Sequence, residues 1–147
     1  MAKFENEIQK NGFLVYTNVG DSMMPLLREH RDLIVISRIT EPLKKNDVVL
    51  FKRPDGSYAL HRIVKRCGLG QYRIVGDNRV KAETVMEEWI IGILTEIIKD
   101  GRRVTVESEE YLAYVKKLPS ARFRLRLKLR FGGLIRKIKR IFGVKKQ

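Results

Sequence analysis

Short runs of β-branched and aromatic residues recur between residues 13 and 106, and turn signals separate most of them. Runs of this length and composition favour β-strands. Pro54-Asp55-Gly56 and Lys99-Asp100-Gly101 are typical of tight turns that join antiparallel neighbours. The pattern therefore predicts a mostly β body, a coiled antiparallel β-sheet with small helices at its ends. The predicted strands cover residues 13–19, 32–38, 48–53, 58–65, 72–75, 89–98 and 102–106.

Helical signals lie outside this series of strands. Apolar residues at helical spacing predict a short helix over residues 2–10. Ser108, followed by two glutamates, is a candidate cap for a second helix that starts there. We therefore divide the chain into a body of residues 1–107 and a C-terminal tail of residues 108–147.

The two ends of the chain differ strongly in charge. The 147 residues have a net charge of +14. Residues 1–115 hold 18 Lys and Arg against all 17 Asp and Glu, whereas residues 116–147 hold 13 Lys and Arg and no acid. Such asymmetry indicates an acidic partner for the tail: an anionic lipid surface, nucleic acid or an acidic protein.

The tail combines this charge with two apolar patterns. Residues 122–131 (RFRLRLKLRF) alternate strictly, and as a strand they would have one apolar and one cationic face before Gly132-Gly133 interrupts them. Beyond the glycines, apolar residues recur at helical spacing. A basic amphipathic helix of this kind is typical of binding to an anionic membrane surface. The candidate membrane-binding residues are Phe131, Leu134, Ile135, Ile138, Ile141 and Phe142.

We therefore expect residues 120–147 to bind an anionic membrane, with a solvated tail as the alternative. Nucleic acid is the less favoured partner, because the dense apolar face serves no phosphate contact. The chain has no apolar stretch long enough to cross a bilayer and no secretory signal. The expected location is the cytoplasm, peripheral to the membrane.

Ser22, in the turn Asp21-Ser22-Met23-Met24-Pro25, is a candidate nucleophile or simply a turn residue. A serine nucleophile needs a base, and histidine can serve at neutral pH. Of the two histidines, His30 lies among charged residues and is predicted to be on the surface. His61 shares a strand face with apolar neighbours, which suits either a catalytic base or a buried structural histidine.

An imidazole base also needs a carboxylate to fix its tautomer. Asp77 and Glu83 are the downstream candidates, and residue type alone leaves the choice between them open.

The single cysteine, Cys67, excludes an internal disulfide. We expect neither a metal nor a cofactor.

Three motifs, taken in order, resemble the signal-peptidase clan of serine endopeptidases, the S24/S26 type. They are Ser22-Met23-Met24-Pro25, His61-Arg62-Ile63 and Gly76-Asp77-Asn78. In that family the nucleophile lies in a Ser-Met-x-Pro turn, and the base comes from a strand one hairpin later. The base is a lysine in bacterial signal peptidases and a histidine in the archaeal and endoplasmic-reticulum enzymes. The resemblance covers about residues 13–98.

The resemblance implies a serine endopeptidase that cleaves a leader or signal segment, with Ser22 as nucleophile and His61 as base. In the histidine-type enzymes a triad aspartate follows the Gly-Asp-Asn turn. The nearest position here is Glu83, with Asp77 as the second candidate. Met23 and Met24 are predicted either to wall the substrate pocket or to pack in the core.

Two features depart from the family pattern. Gly20 stands where the family often has a hydroxyl for the oxyanion hole, so the backbone N–H of Ser22 would carry more of that task. The family's N-terminal transmembrane anchor has no counterpart in this sequence. A catalytically inactive or self-processing regulatory module on the same scaffold, acting through its basic tail, is therefore the alternative function.

Overall fold

The computed structural model describes the backbone of residues 3–141 and the side chains of residues 4–133. Within these residues eight strands form one sheet in which every pair is antiparallel, which confirms the predicted mostly β, antiparallel body. The strands are β1 Phe13–Thr17, β2 Leu33–Ser37, β3 Val48–Lys52, β4 Tyr58–Arg66, β5 Gln71–Val75, β6 Glu83–Met86, β7 Ile90–Lys99 and β8 Arg102–Thr105. The helices are α1 Lys3–Asn11 and α2 Glu109–Ile141, with a short 3₁₀ turn over Glu87–Trp89.

The strand order is β1-β2-β7-β3-β4-β5-β6, and β8 pairs with β7. Ile93 of β7 pairs with β2 on one side and β3 on the other, and Ile97 pairs with β2 and β8. Strands β3 and β8 therefore follow one another along the same edge of β7. This arrangement leaves β4, β5 and β6 as a consecutive antiparallel set, which carries most of the candidate site.

Seven of the eight strands agree with the sequence prediction to within a few residues. The exception is β6, a four-residue strand that the sequence analysis missed. Its sequence, Glu-Thr-Val-Met, is too short to give a clear alternation. Pairing with β5 and burial of Val85, which is 1% exposed, define it instead.

The sheet separates two apolar clusters. The first lies against α1 and the start of α2 and includes Leu60; the second lies on the other face and includes Ile63. Successive strand residues point to opposite faces, so β4 contributes to both clusters. Each fully buried large apolar side chain stabilises the fold by about 1.5–3 kcal/mol.

The alternation of residues 122–131 does not form a strand, because α2 runs without a break from Glu109 to Ile141. Gly132-Gly133 does not interrupt it, and Pro119 also lies within it. Leu, Arg and Lys are good helix formers, and a helix satisfies its own backbone groups without a neighbouring strand. Residues 134–141 are helical in backbone, as the apolar spacing predicted, and Phe142 lies outside the described residues.

The beginning of α2 packs against the body. Tyr111 and Leu118 are about 5% and 4% exposed, and Tyr111 joins the first apolar cluster. The division of the chain at residue 107 stays a prediction. Within the described residues, no helix is both long and apolar enough to cross a membrane.

Candidate active site

His61 and Glu83 are joined by a hydrogen bond. His61 is on β4, and Glu83 is the first residue of β6, two strands away in the sheet. The Nδ1 atom of His61 lies 2.9 Å from Oε1 of Glu83. The imidazole is largely buried, with 12% of the side chain exposed, and its ring lies 5.9 Å from that of Phe51. The structure thus brings two of the predicted site residues into contact.

Arg53, which the sequence analysis did not single out, holds the other side of Glu83. Its Nε donates to Oε2 and its Nη2 to Oε1, each over 2.9 Å. Such a bidentate pair fixes a carboxylate in position and direction. Glu83 is therefore oriented by Arg53 while it accepts a hydrogen bond from His61.

These contacts set the protonation state of the pair. Burial lowers the pKa of His61 below its ordinary value, and the charges of Arg53 and Arg79 add to this, while Glu83 acts in the opposite direction without cancelling it. Burial raises the pKa of Glu83, but Arg53 and His61 outweigh burial and leave it below its ordinary value. At neutral pH a carboxylate therefore faces a neutral imidazole. Because a carboxylate only accepts, Nδ1 carries the proton and Nε2 has the lone pair.

The Ser22 turn packs against Gly76, whose position follows the partner of Arg62 in the β4–β5 ladder. In the β4–β5 ladder Arg62 is opposite Val75, so the same register extended by one residue sets His61 opposite Gly76. A Cβ on Gly76 would be 3.1 Å from Cβ of Ser22 and 2.6 Å from its carbonyl oxygen. Ser22 thus fills the space of the missing side chain. Directly opposed strand residues have Cβ atoms about 4.5–5.5 Å apart and share a face.

The turn after β5 holds the backbone around Ser22. The N–H of Asn78 donates to the carbonyl of Ser22 over 2.8 Å, and the Asn78 amide donates to the carbonyl of Asp21 over 3.2 Å. Arg79 forms an ion pair with the Asp21 carboxylate. The turn Gly76-Asp77-Asn78 therefore holds the backbone of the Ser22 turn in place.

Two groups of Ser22 bear on the candidate chemistry, its hydroxyl and its backbone N–H. In the described part of the chain its hydroxyl forms no hydrogen bond with His61. Contacts between catalytic groups are often long without substrate and tighten when it binds. The backbone N–H of Ser22 has no backbone partner among residues 3–141.

Asp77, the second candidate for orienting His61, belongs to a different cluster. Its carboxylate accepts from Nε and Nη2 of Arg62 over 2.8 and 2.7 Å. It also accepts from Tyr114 and Arg122 of α2, over 3.0 and 3.2 Å. The side chains of Asp77 and Arg62 are both fully buried. Asp77 therefore connects the sheet to α2, and Glu83 is the carboxylate that contacts His61.

Arg62 and the α2 residues of this cluster have perturbed ionisation. Burial lowers the pKa of Arg62, but Asp77 outweighs it and raises the pKa overall. For Arg122, burial lowers the pKa and outweighs Asp77, and its Nε is buried without a hydrogen-bond partner. Burial and the nearby Asp77 charge raise the pKa of Tyr114. Arg62 is thus the stronger partner of Asp77.

The remaining predicted residues fall in different surroundings. Met23 is 1% exposed and packs in the first apolar cluster, as the core alternative predicted for this pair. Met24 is 40% exposed beside the turn, and its peptide bond to Pro25 is cis. Gly20 has a φ of +87°, and its N–H donates to Glu29. His30 is on the surface, as predicted.

Sequence reasoning missed Arg53, Arg62 and Arg122, although one of them carried a signal. Arg62 shares its strand face with Tyr58 and Leu60 in the sequence. An arginine on an apolar strand face needs a buried acidic partner. The position of Arg62 therefore indicated a partner such as Asp77. Arg53 and Glu83 are 30 residues apart, and no local pattern links them.

Other possible sites are separate from this one. Among residues 3–141 no group of three or more His, Cys, Asp or Glu side chains could hold a metal ion. A cavity of about 830 Å³ lies between residues 37–48 and α2, and neither Ser22 nor His61 lines it. The candidate catalytic residues and this cavity therefore do not coincide.

No family model matches this chain, and no curated protein matches it. The likeness to the signal-peptidase clan rests on the three motifs.

Proposed function

We propose that this protein is a serine endopeptidase that removes a leader or signal segment from a peptide or protein. The proposal is carried by the 2.9 Å hydrogen bond between His61 and Glu83, together with the packing of Ser22 against Gly76, which the β4–β5 register extended by one residue sets opposite His61. A carboxylate on one ring nitrogen prepares the other to act as a base. The ordered resemblance to the signal-peptidase clan supplies the reaction class.

The proposed reaction begins with Ser22. Nε2 of His61 takes the hydroxyl proton while Oγ attacks the scissile carbonyl carbon. The backbone N–H of Ser22 donates to the oxyanion that forms. When the carbon–nitrogen bond breaks, His61 returns the proton to the leaving amine.

Water completes the cycle. His61 removes a proton from a water molecule, which attacks the ester carbon of the acyl-enzyme. The carbon–oxygen bond to Ser22 then breaks, Oγ recovers a proton from His61, and the acid product leaves. Glu83 stays ionised throughout and stabilises the imidazolium, while Arg53 keeps Glu83 in position.

The proposed substrate is a peptide in extended conformation. Main-chain hydrogen bonds to a strand edge give such a peptide affinity, and side-chain pockets give specificity. Met24 is the methionine exposed beside Ser22, so it would wall the pocket for a small or apolar residue. Met23 supports that wall from the core.

A fluorophosphonate probe, which forms a covalent adduct with activated serines, tests the proposal on the full-length protein. We expect labelling that Ser22→Ala abolishes and His61→Ala slows by roughly 10²–10⁴-fold. His30→Ala is the matched control, since His30 is the other histidine and 70% of its side chain is exposed. Circular dichroism confirms that each variant is folded.

Two results would count against the enzyme. Labelling that persists in Ser22→Ala would assign reactivity to another residue. Failure of the folded wild-type protein to react, in buffer and with lipid vesicles alike, would favour the alternative of an inactive binding module.

A further inference from the structure

Helix α2 has two faces that meet different surroundings. Tyr111, Leu118 and Arg122 contact the body and lie within about 40° of one another at 100° per residue. Phe123, Leu127 and Phe131, which we call the outer face, lie within about 80° and centre roughly 160° from the body contacts. The outer face therefore points away from the sheet.

The outer face is apolar and uncovered. Phe123 is 62% exposed, Leu127 36% and Phe131 56%. Exposed aromatic and aliphatic side chains aligned on one face mark a surface that binds something apolar. The helical backbone continues to Ile141, and at 100° per residue positions 134, 138 and 141 fall on the same arc.

Positive charge surrounds this face. Arg124, Arg126, Lys128 and Arg130 are exposed and, within the described residues, form no ion pair. Residues 116–147 contain no acidic residue. A second copy of the same segment would repel this one, so the partner must bring negative charge as well as an apolar interior.

We propose that residues 123–133 of α2 bind the surface of an anionic lipid bilayer. The outer face enters the boundary between headgroups and acyl chains, and the flanking cations contact headgroup phosphates. Long Arg and Lys side chains can keep their charge at the headgroups while their stems lie along the apolar face. The proposal does not depend on the peptidase function.

Leu127 and Leu129 provide a matched pair of substitutions. They are the same residue type two positions apart, but they lie about 160° apart around the helix. Leu129 is 49% exposed, more than Leu127. If general hydrophobicity governed binding, Leu129→Gln would have at least as large an effect as Leu127→Gln. If the outer face binds, Leu127→Gln must have the larger one.

The test is co-sedimentation of the full chain with vesicles of phosphatidylcholine containing phosphatidylglycerol. We expect Leu127→Gln to weaken partitioning by roughly tenfold, the effect of one buried leucine, and Leu129→Gln by less than about twofold. Equal effects, or a larger effect of Leu129→Gln, would overturn the proposal. Point substitutions are preferable to a truncation before Arg122, which would also remove a partner of Asp77.

Two further arms separate lipid from other partners. Vesicles of phosphatidylcholine alone should pellet much less protein, and added salt should release it from the anionic vesicles. A duplex oligonucleotide that binds as tightly as the anionic vesicles, without any change in Leu127→Gln, would assign the surface to nucleic acid and refute the lipid proposal.

Discussion

Glu83 and Asp77 each accept two hydrogen bonds from one arginine, but they serve different parts of the molecule. Arg53 holds Glu83 where a third of the side chain is exposed and the other partner is His61. Arg62 holds Asp77 where nothing is exposed and the further partners are on α2. The same kind of arginine–carboxylate pair thus orients the ring of His61 in one place and joins the sheet to α2 in the other.

Burial explains why the two pairs should respond differently to mutation. A partly exposed pair is screened by water and contributes little to stability. A buried pair contributes little net energy when intact, but removing one partner leaves an uncompensated charge inside the protein. Stability should therefore depend on Asp77, and reaction rate on Glu83.

The largest expected effect is that of Asp77→Asn on stability. The substitution leaves Arg62 buried without its carboxylate, so the free energy of unfolding should fall by about 3–5 kcal/mol. Urea unfolding measures it. Asp55→Asn, in an exposed hairpin turn, is the control and should change it by less than about 1 kcal/mol. A similar small change in Asp77→Asn would show that the two carboxylates do not differ as proposed.

Glu83→Gln should have a large effect on the reaction rate and a small effect on stability. The amide has no charge to stabilise imidazolium and can present a donor to Nδ1, so the rate of probe acylation should fall by about 100-fold. The free energy of unfolding should change by less than about 1 kcal/mol. The comparison fails if Asp77→Asn, measured per folded molecule, slows acylation more than Glu83→Gln does.

Arg122→Met should have a smaller effect on stability than Asp77→Asn. Arg62 remains on Asp77, and the Arg122 Nε already lacks a partner, so we expect a loss of about 1 kcal/mol or less. Urea unfolding of the full chain measures the change. A loss as large as that of Asp77→Asn would mean that Arg122, and not Arg62, balances the buried charge.

The smallest expected effect is a shift in pH dependence. Acylation needs neutral His61, so its rate should rise with pH, with a midpoint below 6.5 because burial lowers the pKa of His61. Arg53→Gln removes a charge that lowers this pKa, and the midpoint should move to higher pH. Arg73→Gln, an exposed control, should leave it in place. A midpoint that stays or falls in Arg53→Gln would contradict the expected direct effect of the Arg53 charge on His61.

Alternation and turn chemistry predicted the sheet because those signals are local. These signals did not indicate β6, because four residues are too few to show a period. They also did not indicate the helix over residues 122–131, because the apolar residues there recur with a period of two. The helix prevails there because its backbone bonds are internal, whereas a strand needs a neighbour. The alternation instead places the apolar residues on two sides of α2, and those on one side form the outer face.

The candidate site could be predicted only in part for a similar reason. The order of three motifs singled out Ser22 and His61. The choice between Glu83 and Asp77 depends on strand register and on Arg62, which occupies Asp77. Register is a property of the paired strands, so the residue types alone left both carboxylates possible.

Peptide mapping of the fluorophosphonate adduct tests the central claim most directly. Trypsin releases residues 11–28 as a peptide whose single serine is Ser22. The account predicts one adduct, on Ser22, formed at a rate that follows the neutral fraction of His61. An adduct on another serine, or none on the folded protein with or without vesicles, would contradict it.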